Sequence, residues 1–200
     1  MLCSAGAMAS GVDIAINGGA ESGDFMGWDT FDNGGTVEIT TDNPSGGVYA
    51  IELNGSGGPF NPVAKNANIG IGVITPGAEV TVSFDIRGSA SAGGVFFAEI
   101  FSELAGGGVS QAEILGGGPL FPDADSSVWT SYSFTTTVGP DVSGGISIQF
   151  AAICGAVPGC VSNYFVDNLV VKTAAPIPVP AAVWLLGSAI GLLGLRKRAA

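Results

Sequence analysis

The chain has 200 residues, of which 46% are hydrophobic and only 12% charged, and it carries a formal net charge of −11 with no histidine. That length accommodates one domain of sandwich or barrel size with short appendages. The acidic balance repels phosphates and excludes nucleic acid as a partner, while the missing histidine removes the commonest general base, the commonest transition-metal ligand and any Ser-His-Asp triad.

Met1 to Ala9 is small and apolar, and Ala7-Met8-Ala9 fits the small-x-small pattern before a cleavage point. Residues 1–9 are therefore expected to be the remnant of a signal peptide, discarded together with Cys3. A β-sandwich domain is expected over 10–174, because 33 glycines among so many apolar residues fit short strands joined by tight turns. Its first strand is marked by Val12, Ile14 and Ile16, alternating with polar or small residues. The next stretch, Asn17 to Trp28, reads Asn-Gly-x-x-Glu-x-Gly-x-x-x-x-Trp. This resembles the opening of carbohydrate-binding modules with a jelly-roll, galactose-binding-like fold, and Trp28 is expected in the core.

Short strands then recur at regular spacing: Thr36 to Thr41, Val48 to Leu53, and Ile69 through Val73 ahead of the turn Thr75-Pro76-Gly77. Glu79 to Arg87 alternates most clearly, with Val80, Val82, Phe84 and Ile86 on one face and polar residues on the other, as in a sheet with one wet face. Val95 to Leu104 is apolar on both parities and suits a central strand. Gln111 to Leu115, Trp129 to Val138, Ile146 to Phe150 and Tyr164 to Lys172 complete an all-β jelly-roll sandwich of about ten strands. The order of these pieces extends the resemblance over most of the body.

Three groups of residues could carry chemistry. Asp167 lies in an apolar strand, where a carboxylate costs several kcal/mol unless paired or metal-bound. The resemblance implies a structural Ca²⁺ held by Glu21 of the opening motif and Asp167 of the last strand, with a backbone carbonyl around Ser45 to Gly47 completing the shell. The competing reading places Asp167 at a sheet edge, solvated or bonded to Lys172 or to backbone. Cys154 and Cys160 bracket a short turn and read as a local disulfide in an exported protein; a zinc site there lacks ligands. Phe97, Phe101 and Tyr132 are candidates for glycan stacking, against core packing as the alternative for each. Among the 17 acids, a glycosidase pair such as Glu99 and Glu113 has no spacing that singles it out, so a non-enzyme is expected.

The tail has three parts in a fixed order. Pro176-Ile177-Pro178-Val179-Pro180 is an extended, proline-rich lead. Ala181 to Leu195 carries no charge, and a helix from Val179 to Leu195 would span roughly 25 Å at ~1.5 Å per residue, the short end of a membrane crossing. Arg196-Lys197-Arg198 then fits the cytoplasmic side of a membrane. A buried helix is the alternative, but this segment is apolar on every face and ends in three cations. The motif Ile177, Pro178, Val179, Pro180, Ala181, the apolar run and Arg196, Lys197, Arg198 resemble a PEP-CTERM sorting signal of the VPLPA type, with Val in place of the usual Leu. Residues 175–200 are thus expected to be a C-terminal sorting signal with one transmembrane helix, recognised in the membrane by an exosortase. The combined expectation is an exported bacterial surface or matrix protein whose body binds polysaccharide. A structural or adhesive matrix protein without a small ligand is the alternative.

Overall fold

The computed structural model describes residues 11–173, and its regular structure there is β throughout, apart from one 3-10 turn at Leu115–Gly117. The strands are β1 (Val12–Asp13), β2 (Trp28–Phe31), β3 (Thr36–Thr40), β4 (Ala50–Ser56), β5 (Val63–Ile69), β6 (Glu79–Ser91), β7 (Val95–Glu103), β8 (Val109–Ile114), β9 (Thr130–Thr137), β10 (Ile146–Ile153) and β11 (Val161–Thr173). They form two antiparallel sheets. One has the order β3-β4-β11-β6-β9 with β1 also paired to β11, and the other β2-β5-β10-β7-β8. Among the described residues no helix is long and apolar enough to cross a membrane. The expected transmembrane helix, the sorting motif, the basic end and the signal-peptide remnant lie outside the described residues.

Alternation decides which face of each strand turns inward. In β6, Val80, Val82, Phe84 and Ile86 are buried, while Thr81, Ser83 and Asp85 between them are half-buried on the outer face. The two inner faces meet in a core centred on aromatic rings. Phe150 of β10 meets Phe84 of β6 edge-on, with centroids 4.8 Å apart, and also packs near Phe96 at 6.0 Å and Trp28 at 6.2 Å. Such pairs add about 0.5–1.5 kcal/mol beyond the area they bury. Trp28 is 6% exposed and its indole N–H donates to the Asn17 carbonyl at 2.9 Å, so the opening motif is tied to the core by its own last residue.

Three stretches depart from the sequence expectation. Ile69 ends β5 rather than starting a strand. Gly70 and Gly72 take positive φ, and the N–H groups of Val73 and Ile74 both turn back to the Gly70 carbonyl, leaving Ile71 and Val73 in solvent. β5 itself, Val-Ala-Lys-Asn-Ala-Asn-Ile, has a composition poor in strand formers. Its Asn66 is fully buried, donates to the carbonyls of Ile16 and Gly27 and accepts from the Ile16 N–H, so it fastens the opening loop to the sheet. The first strand stops at Asp13, where the Asp13 carboxylate caps the N–H groups of Ala15 and Val171.

Cys154 and Cys160 are bonded to each other with Cα atoms 6.0 Å apart, and with Phe60 they form a small satellite core at one end of the sandwich.

Phe150→Ala should cost about 3–5 kcal/mol in urea unfolding, because three rings lose their common neighbour. Phe134→Ala, a half-buried ring on the edge strand β9, should cost clearly less. Equal losses would mean that the core is not centred on Phe150.

Candidate functional site

The outer face of the five-stranded sheet carries two rows of side chains in register. Asp29, Lys65, Gln149, Glu99 and Ile114 face one another across β2, β5, β10, β7 and β8. One step along the strands, Phe31, Val63, Ala151 and Phe97 form the second row. Phe101, on the other side of the polar row, stands opposite Ser147 and Ala112. Phe31 is 50% exposed, and Phe97 and Phe101 are half-buried, so all three rings present surface to solvent. Phe31 and Phe97 are three strand spacings apart, about 14 Å.

The polar groups between the rings are held in place. Lys65 donates to Glu103 Oε1 at 2.7 Å and sits 5.2 Å from the Phe101 ring centre; Gln149 donates to Glu99 Oε2 at 2.8 Å. Each carboxylate keeps acceptor capacity beyond its one protein partner. The face therefore combines flat apolar rings with fixed acceptors, and Lys65 is its one cation in these rows.

The outer face of the six-stranded sheet carries a second cluster. Asp167 on the central strand β11 is 1% exposed and lies directly opposite Asp85 of β6. The segment between β3 and β4 folds across both. Ser45 and Gly46 donate their N–H groups to Asp167 Oδ2 at 2.8 and 3.0 Å, and the Ser45 hydroxyl donates to Asp85 Oδ2 at 2.7 Å. Arg87 pins the same segment by bonding the Asp42 carboxylate and carbonyl, with its guanidinium 3.6 Å from the Phe165 ring centre and 5.3 Å from that of Trp129. Glu21 accepts from the N–H groups of Val48 and Tyr49. Gly47 takes φ +59°, and a Cβ there would lie 2.3 Å from the Glu21 carboxyl carbon.

Glu21 and Asp167 are thus brought together. A Cβ on Gly19 would lie 3.3 Å from Asp167 Oδ1 and 3.9 Å from Glu21 Oε1, a close fit beside both carboxylates. Burial pushes the Asp167 carboxyl above its usual range; the N–H groups of Gly46, Asn168 and Ser45 offset part of this, and the Glu21 charge raises it further. Burial also pushes Asp85 up, but hydrogen bonds from Asn168, Ser131 and Ser45 outweigh it and hold that carboxyl below its usual value. The segment from Ser45 to Tyr49 meets the two carboxylates with N–H groups, where the sequence suggested a carbonyl ligand. Among the described residues no group of three or more acidic or sulfur ligands converges on one point.

Phe97 and Phe101 share the first face. Tyr132 does not join them: it lies on β9 of the other sheet, its ring stacks on Phe84 and Phe134, and its hydroxyl donates to the Phe121 carbonyl at 2.7 Å. Glu99 and Glu113 point to opposite faces of their sheet, Glu113 being opposite Ile100 and accepting from Thr136. The sequence reading missed Phe31, Lys65, Gln149, Asp85 and Arg87. Lys65 and Arg87 carried a signal, since only three cations precede the tail against 17 acids.

A family model described as a carbohydrate-binding domain matches residues 12–150. No curated protein matches the chain. Among solved structures, the CBM22-1 xylan-binding domain of Paenibacillus barcinonensis Xyn10C is similar, with a TM-score of 0.58 at 13% identity, covering 86% of this chain and 100% of that one. TmCBM61, solved with β-1,4-galactotriose, gives 0.52 at 16% identity over 80% of this chain and 98% of its own. The C-terminal family 22 module of Clostridium thermocellum Xyn10B gives 0.52 at 11% identity over 86% and 98%. At these identities the likeness is one of fold.

The depressed Asp85 carboxyl sets a pH dependence. Its ionised form is favoured by folding, so its contribution is fully present above the unfolded value near ~3.9 and is lost as pH falls through the lower folded value. The melting temperature of Asp85→Asn should fall below that of the parent at neutral pH, and the gap should close in acid below about pH 4. A gap that stays constant across that range would show that the charge on Asp85 is not what holds the segment.

Proposed function

The chain belongs to the carbohydrate-binding domain family, and from that premise we propose that its body binds a neutral polysaccharide along the outer face of its five-stranded sheet. The observation that carries this reading is the pair of half-buried rings Phe97 and Phe101 on β7, flanking Glu99 and backed by Gln149 and Lys65. Ring faces pack against the C–H face of a sugar, and the fixed carboxylates accept from its hydroxyls. Asp29 and Glu99 on this face disfavour an acidic glycan. Binding to xylan and β-1,4-galactan, set against a polyuronate, tests the reading. Phe101→Ala and Phe97→Ala should each weaken binding to the preferred neutral polymer about tenfold, with the melting temperature little changed. Undiminished binding by the double variant would place the glycan elsewhere.

One observation favours the second reading, a structural or adhesive matrix protein. The outer face of β6 and β9 is a ladder of hydroxyls, with Thr81 and Thr135 bonded at 3.2 Å and Ser83 opposite Ser133. A folded protein that binds no glycan in a broad array would select it.

We propose further that a Ca²⁺ ion is held by Glu21 and Asp167. The reading is supported by two carboxylates that both lie near Gly19, one of them 1% exposed, whose repulsion a hard cation would relieve. At a hundredfold excess over Kd such an ion adds ~2.7 kcal/mol, or about 5–10 °C in melting temperature. A chelator should lower the melting temperature by that amount, calcium should restore it, and Asp167→Ala should abolish the response. Indifference to both reagents would leave the N–H groups of Ser45, Gly46 and Asn168 as the whole compensation.

Export completes the proposal. The Pro176 to Ala200 segment acts as a sorting signal read by an exosortase in the membrane, and Cys154 and Cys160 stay bridged in the oxidising compartment beyond it. Replacing Arg196, Lys197 and Arg198 by Ser should change the location or mature mass of the protein. An unchanged location and mass would refute the sorting role.

A further inference from the structure

β6 is longer than its edge partner. β9 pairs with it from Glu79↔Thr137 to Ile86↔Thr130, and beyond that point no strand among the described residues covers this edge of β6 up to Ser91. The segment leading into β9 passes there instead and borders a half-open pocket of about 230 Å³, lined by Gly88, Ser89, Phe121, Pro122, Asp123 and Tyr164 among others.

The pocket wall is fixed. Leu120 is buried and its N–H donates to the Phe96 carbonyl at 2.9 Å; the Tyr132 hydroxyl holds the Phe121 carbonyl; the Asp123 N–H donates to Thr130 Oγ1 at 2.9 Å; and the Asp125 N–H donates to Asp123 Oδ1 at 2.9 Å. On this anchored segment Phe121 is 70% exposed, the most exposed large apolar side chain among the described residues. A ring held out of the core by bonds on both sides of it offers a stacking face at little entropic cost. Beside it, Asp123 Oδ2 and the exposed Ser89 hydroxyl supply acceptors and a donor for hydroxyl groups.

We propose that this pocket binds a single neutral sugar ring, as a free monosaccharide or the end of a glycan chain. Its volume lies below the ~300–1,000 Å³ of sites that enclose drug-sized ligands, so it takes one ring rather than a run of them. Asp123, with Asp125 next to it in the same wall segment, turns away a carboxylated sugar. The proposal takes its ligand class from the carbohydrate-binding reading, but the pocket belongs to the other sheet and shares no residue with the Phe97–Phe101 face.

The test is an amide-resolved NMR titration of the full-length protein in detergent with methyl β-glucoside, methyl β-galactoside and methyl β-xyloside, and with methyl β-glucuronide as the charged arm. At least one neutral glycoside should shift the amides of Gly88, Ser89, Asp123 and Ala124, and the glucuronide should not. Phe121→Ala should weaken that binding about tenfold, and Asp123→Asn should weaken it while keeping the bond to the Asp125 N–H. Phe101→Ala should leave it unchanged. No shift with any neutral glycoside, or shifts that persist in Phe121→Ala, would overturn the pocket. Polysaccharide binding that is lost in Phe101→Ala but kept in Phe121→Ala, without pocket shifts, would overturn the pocket and leave the sheet face standing. Pocket shifts together with undiminished polymer binding by the Phe97/Phe101 double variant would do the reverse.

Discussion

Asp167 is ionisable and 1% exposed, and it sits on the strand at the centre of the six-stranded sheet. A carboxylate there has to be compensated, and the described residues bring no cation into contact with it. Part of the compensation comes from main-chain N–H groups, which requires the segment after β3 to lie across the sheet. It also sets Asn168 at a positive φ, where the β11 register with β6 shifts. That shift places Leu169 against the opening loop, whose Gly18 carbonyl accepts from the Leu169 N–H, and Gly18 has no room for a Cβ because one would lie 1.9 Å from the Leu169 carbonyl oxygen. The opening loop, the segment between β3 and β4, and the last strand are thereby fixed relative to one another through one side chain and its neighbours.

Much of this architecture was legible in the sequence, for a physical reason. Where a strand has one wet face, burial writes a period of two into it, and Glu79 to Arg87 and Trp129 to Val138 could be placed within a few residues. β5 was illegible because its inward positions are Ala64 and Asn66, and a buried Asn that makes three hydrogen bonds looks in sequence like a loop residue. Ile69 to Val73 misled in the opposite way: its alternation is real, but Gly70 and Gly72 turn the chain before the side chains can share a face.

The candidate sites divide in the same manner. The resemblance of the opening motif is what paired Glu21 with Asp167, and both carboxylates lie near Gly19. Phe97 and Phe101 could be found because β7 carries rings on both parities, so some had to face outward. Tyr132 shares its parity with Phe134 and alternates with Ser131 and Ser133, a pattern that already turns its ring toward the core rather than to a sugar. Phe31, Lys65 and Gln149 required the pairing of β2, β5 and β10, which is information about register and not about any one segment.

β11 runs for 13 residues at the middle of its sheet and is paired with β6 along nearly its whole length, with β4 on its other side over the first half. Its hydrogen bonds to both neighbours lie across the strand axis. Tension applied to the chain just beyond Thr173 therefore pulls along β11 and loads these bonds together in shear rather than one after another. The last described strand is thus also one of the most extensively paired in the fold, so a pull on the chain beyond it meets many hydrogen bonds at once.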